Sequence, residues 1–309
     1  MNNLKFIKKQ LGIIATVLIC LITVNTARAG LVVTDWNYDT WADFTAWDFS
    51  DGTGTTSGSL YELSWGANGG DFQDINQAAG SSRSALTLGD GPTGDDRFGG
   101  GHASGSVETI FGAGAPSGSE IGIGISATHW NNTLSGSFAT LTSGTLTDYL
   151  TLDAATPDTG GVESAPTIAI DFKFQETTNA GDNNGKCLDG SDSANDHIGG
   201  CPDIFGFQAD LTVGIPFLYD ANLYTIDILL SDGLGNAAPI GALDSGYCSA
   251  LGFAGACVGL VTQEAAHTTF QFGFDIRHVR SVPEPSSLIL LAFAILFLGA
   301  RKYRLNITR

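Results

Sequence analysis

Two stretches decide the fold class: Thr167-Ile168-Ala169-Ile170-Asp171-Phe172-Lys173-Phe174-Gln175 and Thr268-Thr269-Phe270-Gln271-Phe272-Gly273-Phe274-Asp275-Ile276. In the first, Ile168, Ile170, Phe172 and Phe174 take every second position, and in the second Phe270, Phe272, Phe274 and Ile276 do. A period of two puts the four apolar side chains of each stretch on one face of a strand, whereas a helix would scatter them around its axis. Working outward, other short runs rich in β-branched and aromatic residues lie at 31–38, 60–65, 121–130, 137–152, 204–213 and 224–230, each bounded by Gly, Ser, Asp or Asn. Helical periodicity is nearly absent between 30 and 280. Many short strands without helices predict one all-β body, a jelly-roll-like β-sandwich with Gly-rich loops. The Gly-rich stretch 66–119 reads as a long loop or insertion within it.

Composition narrows the surroundings. The 309-residue chain is 43% hydrophobic, enough to bury a core, but only 15% charged, with a net charge of −18. Four of its 14 basic residues lie in 1–29 and four in 301–309, which leaves six against 32 acidic residues between them, a net charge of −26. Such a body repels phosphate, so nucleic acid is excluded as a partner, while cations are attracted.

The first 29 residues have the form of a secretory signal, which predicts an N-terminal signal helix. Lys5, Lys8 and Lys9 form a positive start, 11–24 is apolar, and Ala27-Arg28-Ala29 places small residues where signal peptidase reads them. Cleavage after Ala29 would leave Gly30 first. Cys20 is not a lipidation site, because the residue before it is Ile19 rather than a small one.

Four cysteines remain: Cys187, Cys201, Cys248 and Cys257. Three pairings are open. The local one, Cys187–Cys201 with Cys248–Cys257, is the expected one because each pair brackets a single Gly-rich loop. Closing the first loop would contribute roughly 3 kcal/mol through chain entropy. The rival reading, zinc, lacks a Cys-x-x-Cys pair and has only the isolated His197 nearby.

Three places carry candidate chemistry. Thr128-His129-Trp130-Asn131 ends an apolar run, and a His beside an indole and an amide suits sugar binding; the plainer alternative is that these residues pack and satisfy backbone groups. The acidic loop 182–192 offers Asp182, Asn184, Asp189 and Asp192 as oxygen ligands for Ca²⁺, the one cofactor suggested, with Asp196 and Asp203 following. Its spacing is not that of an EF-hand, and Lys186 sits within it. Gly89-Asp90-Gly91-Pro92-Thr93-Gly94-Asp95-Asp96 resembles Gly/Asp calcium repeats but occurs once. Motifs of serine hydrolases, zinc proteases and phosphate-binding loops are missing, so no catalytic residue is assigned and the chain is not read as an enzyme.

The C-terminal tail is the most specific feature. Val282-Pro283-Glu284-Pro285 precedes an uncharged apolar run over 288–300, and Arg301, Lys302 and Arg304 follow as a basic stop. The run alone would span about 20 Å as a helix, so a transmembrane helix is expected over about 286–305, with the basic side chains reaching to the interface. Basic residues outside both apolar segments predict a body on the far side of the membrane. The domain organisation expected is therefore 1–29 signal peptide, 30–280 β-sandwich body, and 281–309 sorting tail.

Taken together, the Val-Pro-Glu-Pro element, the apolar run and the Arg-rich end resemble the PEP-CTERM sorting signal of Gram-negative bacteria. The resemblance implies processing near the motif by exosortase, after signal peptidase has acted. It also implies an inner-membrane-anchored precursor with a periplasmic body, later delivered to the cell surface or the extracellular polysaccharide matrix. The body resembles one subgroup, the THxN family, whose naming residues stand here as Thr128, His129, Trp130 and Asn131. The runs 127–152, 172–179 and 201–205 share the likeness, as do the Cys248–Cys257 loop and Thr262-Gln263-Glu264. That resemblance implies no activity. The function expected is a structural or interaction role at the surface, with exopolysaccharide as a partner. A carbohydrate-binding, Ca²⁺-stabilised module is the alternative, motivated by Trp36, Trp41, Trp47, Trp65 and Trp130.

Overall fold

The computed structural model describes residues 30–68, 83–89, 102–164, 167–197, 199–208, 214–230 and 240–281. By its internal contacts the chain divides in two. The smaller unit comprises 1–32, 218–223 and 279–309. In its described part, Asp220 and Ala221 turn the chain at φ 43° and 61°, and the Asp220 carboxylate accepts the Leu31 N–H at 2.8 Å.

The larger unit, 33–217 with 224–278, holds every candidate site described below. Its strands belong to one hydrogen-bonded sheet of 15 strands. In chain order the first are β1 (Asp35–Phe49), β2 (Thr55–Gly58), β3 (Glu62–Gly66), β4 (Arg83–Gly89) and β5 (His102–Phe111). Then come β6 (Gly122–Asn131), β7 (Leu141–Thr156), β8 (Asp158–Ser164), β9 (Ile168–Gln175) and β10 (Asp203–Gln208). The last are β11 (Ile215–Tyr219), β12 (Asn222–Leu230), β13 (Gly241–Ala242), β14 (Cys257–Thr262) and β15 (Ala266–Ser281). The main path runs β13-β14-β10-β9-β7-β1-β5-β15-β6-β4-β3-β2.

Alternation explains β9: Ile168, Ile170, Phe172 and Phe174 are buried while Ala169 and Asp171 are exposed. Their rings pack on β10, with Phe174 and Phe205 centred 4.6 Å apart. Across the core, Phe205 meets Phe270 and Phe207 meets Phe272, both at 5.7 Å. The β13-to-β1 side of the sheet thus faces the β15-to-β4 side over an aromatic core. β15 departs from the simple pattern, because both its faces are covered. Gln271, on the face away from the phenylalanines, is buried and donates to the Gly124 carbonyl at 3.0 Å. Asp275 is fully buried and paired with Arg277 at 2.9 Å.

Several expectations need correction. The stretch 66–119 is not one long loop: it contains β4 and β5. β4 is buried over nearly its whole length. β5 is the join of the sheet, antiparallel to β1 through Trp36↔Val107 and parallel to β15 through Ile276↔Thr109. Small polar residues such as Ser104 and Ser106 hide it from a hydrophobicity reading, since backbone pairing needs no apolar side chain. β5 pairs with β1 over 102–108 and with β15 over 109–111, so it passes from one packed face of the all-β body to the other. The flanking signal helix and transmembrane helix are corrected as well. The one α-helix among the described residues, α1 (Ser245–Ala250), has six residues, and no described helix is long and apolar enough to cross a membrane. The segments given to those helices, 1–29 and about 286–305, lie outside the described residues. With no spanning helix among the described residues, the inner-membrane-anchored precursor and the membrane as a partner are not supported.

Cys187–Cys201 and Cys248–Cys257 are disulfides. The second encloses the end of α1 and the turn into β14, and the first closes the acidic loop.

Candidate functional site

Thr128, His129, Trp130 and Asn131 end β6, which pairs with β4 on one side and β15 on the other. A central strand leaves its side chains little solvent, and all four are buried. Thr128 and Thr269 share a hydroxyl hydrogen bond of 2.9 Å, and the Trp130 indole donates to Thr87 Oγ1 at 3.0 Å. His129 is stacked on Trp65 at 5.8 Å and meets the edges of Phe174 and Phe205. Its Nδ1 lies 2.8 Å from Thr262 Oγ1. Burial pushes its pKa down to about 3, so the imidazole is neutral. Asn131 donates to the Thr262 carbonyl at 3.2 Å. The motif thus presents no sugar-binding face.

The acidic loop spends its carboxylates on itself. Asp182 Oδ1 accepts the Asn184 and Lys186 N–H groups at 2.7 and 3.0 Å. Asp189 Oδ1 accepts the Ser191 N–H at 2.8 Å, and Asp192 Oδ1 accepts those of Ala194 and Asn195 at 3.0 and 3.1 Å. These backbone bonds hold Asp182 and Asp192 below the ordinary carboxylate range, with the Lys186 ammonium 3.8 Å from Asp192. Among the described residues, Asp182, Asp189 and Asp192 do not form one convergent group, and Asn184 reaches Asp182 alone with its amide nitrogen at 3.5 Å. His197 and Asp189 do approach Cys187, but that sulfur is in a disulfide.

A different set of carboxyls does converge. Glu176 follows the last residue of β9, Asp203 opens β10, and Glu264 sits in the turn between β14 and β15. One oxygen of each lies within 4.8 Å of the others. Glu176 accepts the Trp65 indole N–H at 3.0 Å, and Asp203 Oδ1 accepts the Thr177 N–H at 2.8 Å. Asp203 Oδ2, both Glu264 oxygens and Asn131 Oδ1 are buried without a hydrogen-bond partner. Asp203, Glu264 and Asn131 are all 0% exposed, and the Asn131 amide lies against both carboxyls. Among the described residues no ion pair reaches any of the three acids. Burial raises the pKa of each, and mutual repulsion adds to it for Asp203 and Glu264. At an effective dielectric near 20, each ionised pair at this separation repels by about 3 kcal/mol. The arrangement therefore holds shared protons or a cation.

The loop closed by Cys187–Cys201 covers this cluster. Gly199, at φ 84°, brings its backbone so close that an added Cβ would lie 2.8 Å from Glu264 Cβ. Gly200, at φ 130°, does the same against Asn179. Glu176 and Glu264 escape a reading of the sequence as ligands, because each is a lone acid beside a strand. The adjoining threonines and Asn131 are no stronger signal.

The indoles divide. Trp36, Trp65 and Trp130 are buried, whereas Trp41 is 40% exposed and stacked on Tyr149 at 5.5 Å. Trp47 is half-buried at the rim of a depression of about 270 Å³ with Lys173, Asp171 and Phe253. Trp41 pairs with Tyr149 and Trp47 with Gly144. Those partners are five positions apart on an uninterrupted run of β7, so the two indoles stand on opposite faces.

The family described as the PEP-CTERM protein-sorting motif matches residues 281–304. Among curated proteins, none matches the chain. A PEP-CTERM exosortase-sorting motif is thus present near the C-terminus, and it marks exosortase-dependent processing of a surface or secreted protein. Such motifs belong to sorting substrates and not to catalytic domains.

Proposed function

We propose that the chain is an exported structural or interaction protein of the cell surface or polysaccharide matrix, with the acidic β body as its working part and 1–29, 30–280 and 281–309 as its divisions. The observation that carries this reading is the sorting motif at 281–304. Val282, Pro283, Glu284 and Pro285 are the segment exosortase recognises, with Arg301, Lys302 and Arg304 as the basic stop, all outside the described residues. The likeness of the body to the THxN family supports the same address. Intact mass of the protein recovered from the cell surface tests it. The expected mass is that of a chain beginning at Gly30, shortened at its C-terminus near the motif, and carrying two disulfides. A surface form that retains 282–309, or a body found free in the cytoplasm, overturns it.

A second reading, carbohydrate contact, rests on the exposed Trp41, stacked on the half-buried Tyr149. A flat exposed indole offers a sugar ring a stacking surface. Exopolysaccharide binding that is lost in Trp41→Ala and kept in Trp47→Ala supports it. Binding unaffected by Trp41→Ala retires it.

A further inference from the structure

We propose that Glu176, Asp203 and Glu264, with the Asn131 side-chain amide beside them, form a buried Ca²⁺ site. The convergence of three acids alone would not carry this. The orphaned atoms do: Asp203 Oδ2 and Glu264 Oε1 and Oε2 are buried without a geometrically satisfied hydrogen bond. Buried polar groups are almost always hydrogen-bonded, so the unpartnered Asp203 and Glu264 oxygens, in a group of three carboxyls that converge, mark a missing partner. A single cation satisfies these oxygens and cancels the repulsion among the acids. No basic side chain among the described residues does this by an ion pair.

The donor set selects the cation. All the converging atoms are oxygens. The neighbouring His129 is not part of the convergent group, and the four body cysteines are paired. Oxygen-only sites take hard cations rather than zinc or copper. Ca²⁺ accepts six to eight oxygens in irregular geometry and takes carboxylates in bidentate fashion, so three carboxylates approach its full shell. Mg²⁺ prefers to keep several waters, and Asp203, Glu264 and Asn131 are sealed from solvent. The site joins the end of β6, the end of β9, the start of β10 and the β14–β15 turn. A bound ion would therefore pin four segments that are remote in the chain.

The test uses the full chain recovered from cells, stripped with EDTA. Adding Ca²⁺ to about 100 times its dissociation constant raises Tm by roughly 5–10 °C. NaCl at matched ionic strength does not reproduce that rise. Tb³⁺ in place of Ca²⁺ luminesces on indole excitation, because the Trp65 indole is bonded to Glu176. Trp65→Phe loses most of that emission and keeps the Ca²⁺ shift in Tm. Glu264→Gln loses both responses, while Asp182→Asn combined with Asp192→Asn loses neither. If Glu264→Gln does not fold, the stripped and reloaded wild-type chain and Trp65→Phe still decide the matter. A wild-type Tm that responds to neither EDTA nor Ca²⁺, undiminished Tb³⁺ emission in Trp65→Phe, or a response that depends on the 182–192 loop overturns the proposal.

Discussion

Asp148 shows how a single side chain can carry an opposing term inside an otherwise apolar strand. It is 8% exposed, on the inward face of β7 opposite Ala42 of β1, and accepts a hydrogen bond from Thr40. Burial raises its pKa from 3.8 to about 6. Because the folded state holds the proton more tightly than the unfolded chain, Asp148 favours folding below pH 3.8. That contribution is lost as pH rises through about 6. Asp148→Asn keeps an acceptor for Thr40 and removes the charge. It should therefore be more stable than wild type at pH 8 by up to about 3 kcal/mol, with the gain vanishing near pH 4. Urea denaturation at the two pH values measures this, and an equal gain at both would mean that the charge is not the cause.

Strand β14 illustrates what an element demands of its neighbours. Gly259 lies opposite Gly206 of β10 on one side and Gly241 of β13 on the other. A Cβ there would sit 2.0 Å from the Phe205 carbonyl oxygen and 3.0 Å from Gly206 Cα. Both are backbone atoms, which cannot swing away as a side-chain tip can. Gly259→Ala should destabilise by roughly 3 kcal/mol, as overpacking in a close-packed interior does; a thermal melt within a degree of wild type would contradict it. Strand β5 shows why 66–119 differs from the loop its composition predicts. A loop is expected where Gly and Ser dominate, yet β5 is recruited by unpaired backbone on β1 and β15. Backbone hydrogen bonding does not announce itself in side-chain composition.

At the scale of the whole molecule the net charge of −26 over 30–300 matters more than any one pair. Like charges on one body repel across distances comparable with the screening length, which is about 30 Å at 10 mM salt and about 8 Å at 150 mM. Raising NaCl between those values should raise Tm, and Ca²⁺ should act beyond this screening if the buried site is filled. A Tm that falls or stays flat with NaCl would show that the acidic surface is spread too thinly to strain the fold.

The sequence by itself determined the strand character of β9 and β15, through strict alternation. It also carried the sorting motif, whose recognition depends on a contiguous segment. Both are local signals: β9 is complete within 8 residues and the motif within 281–304. Only the tertiary structure decided that β5 closes the sheet, that Thr128 to Asn131 face the interior, and where acids meet. The clustered acids of 182–192 looked like a metal site because they are near one another in the chain. That nearness lets them bond to their own backbone amides instead. Asn131, Glu176, Asp203 and Glu264 are widely separated in sequence and come together at strand ends, where the neighbouring amides are already engaged in the sheet and buried oxygens are left without partners.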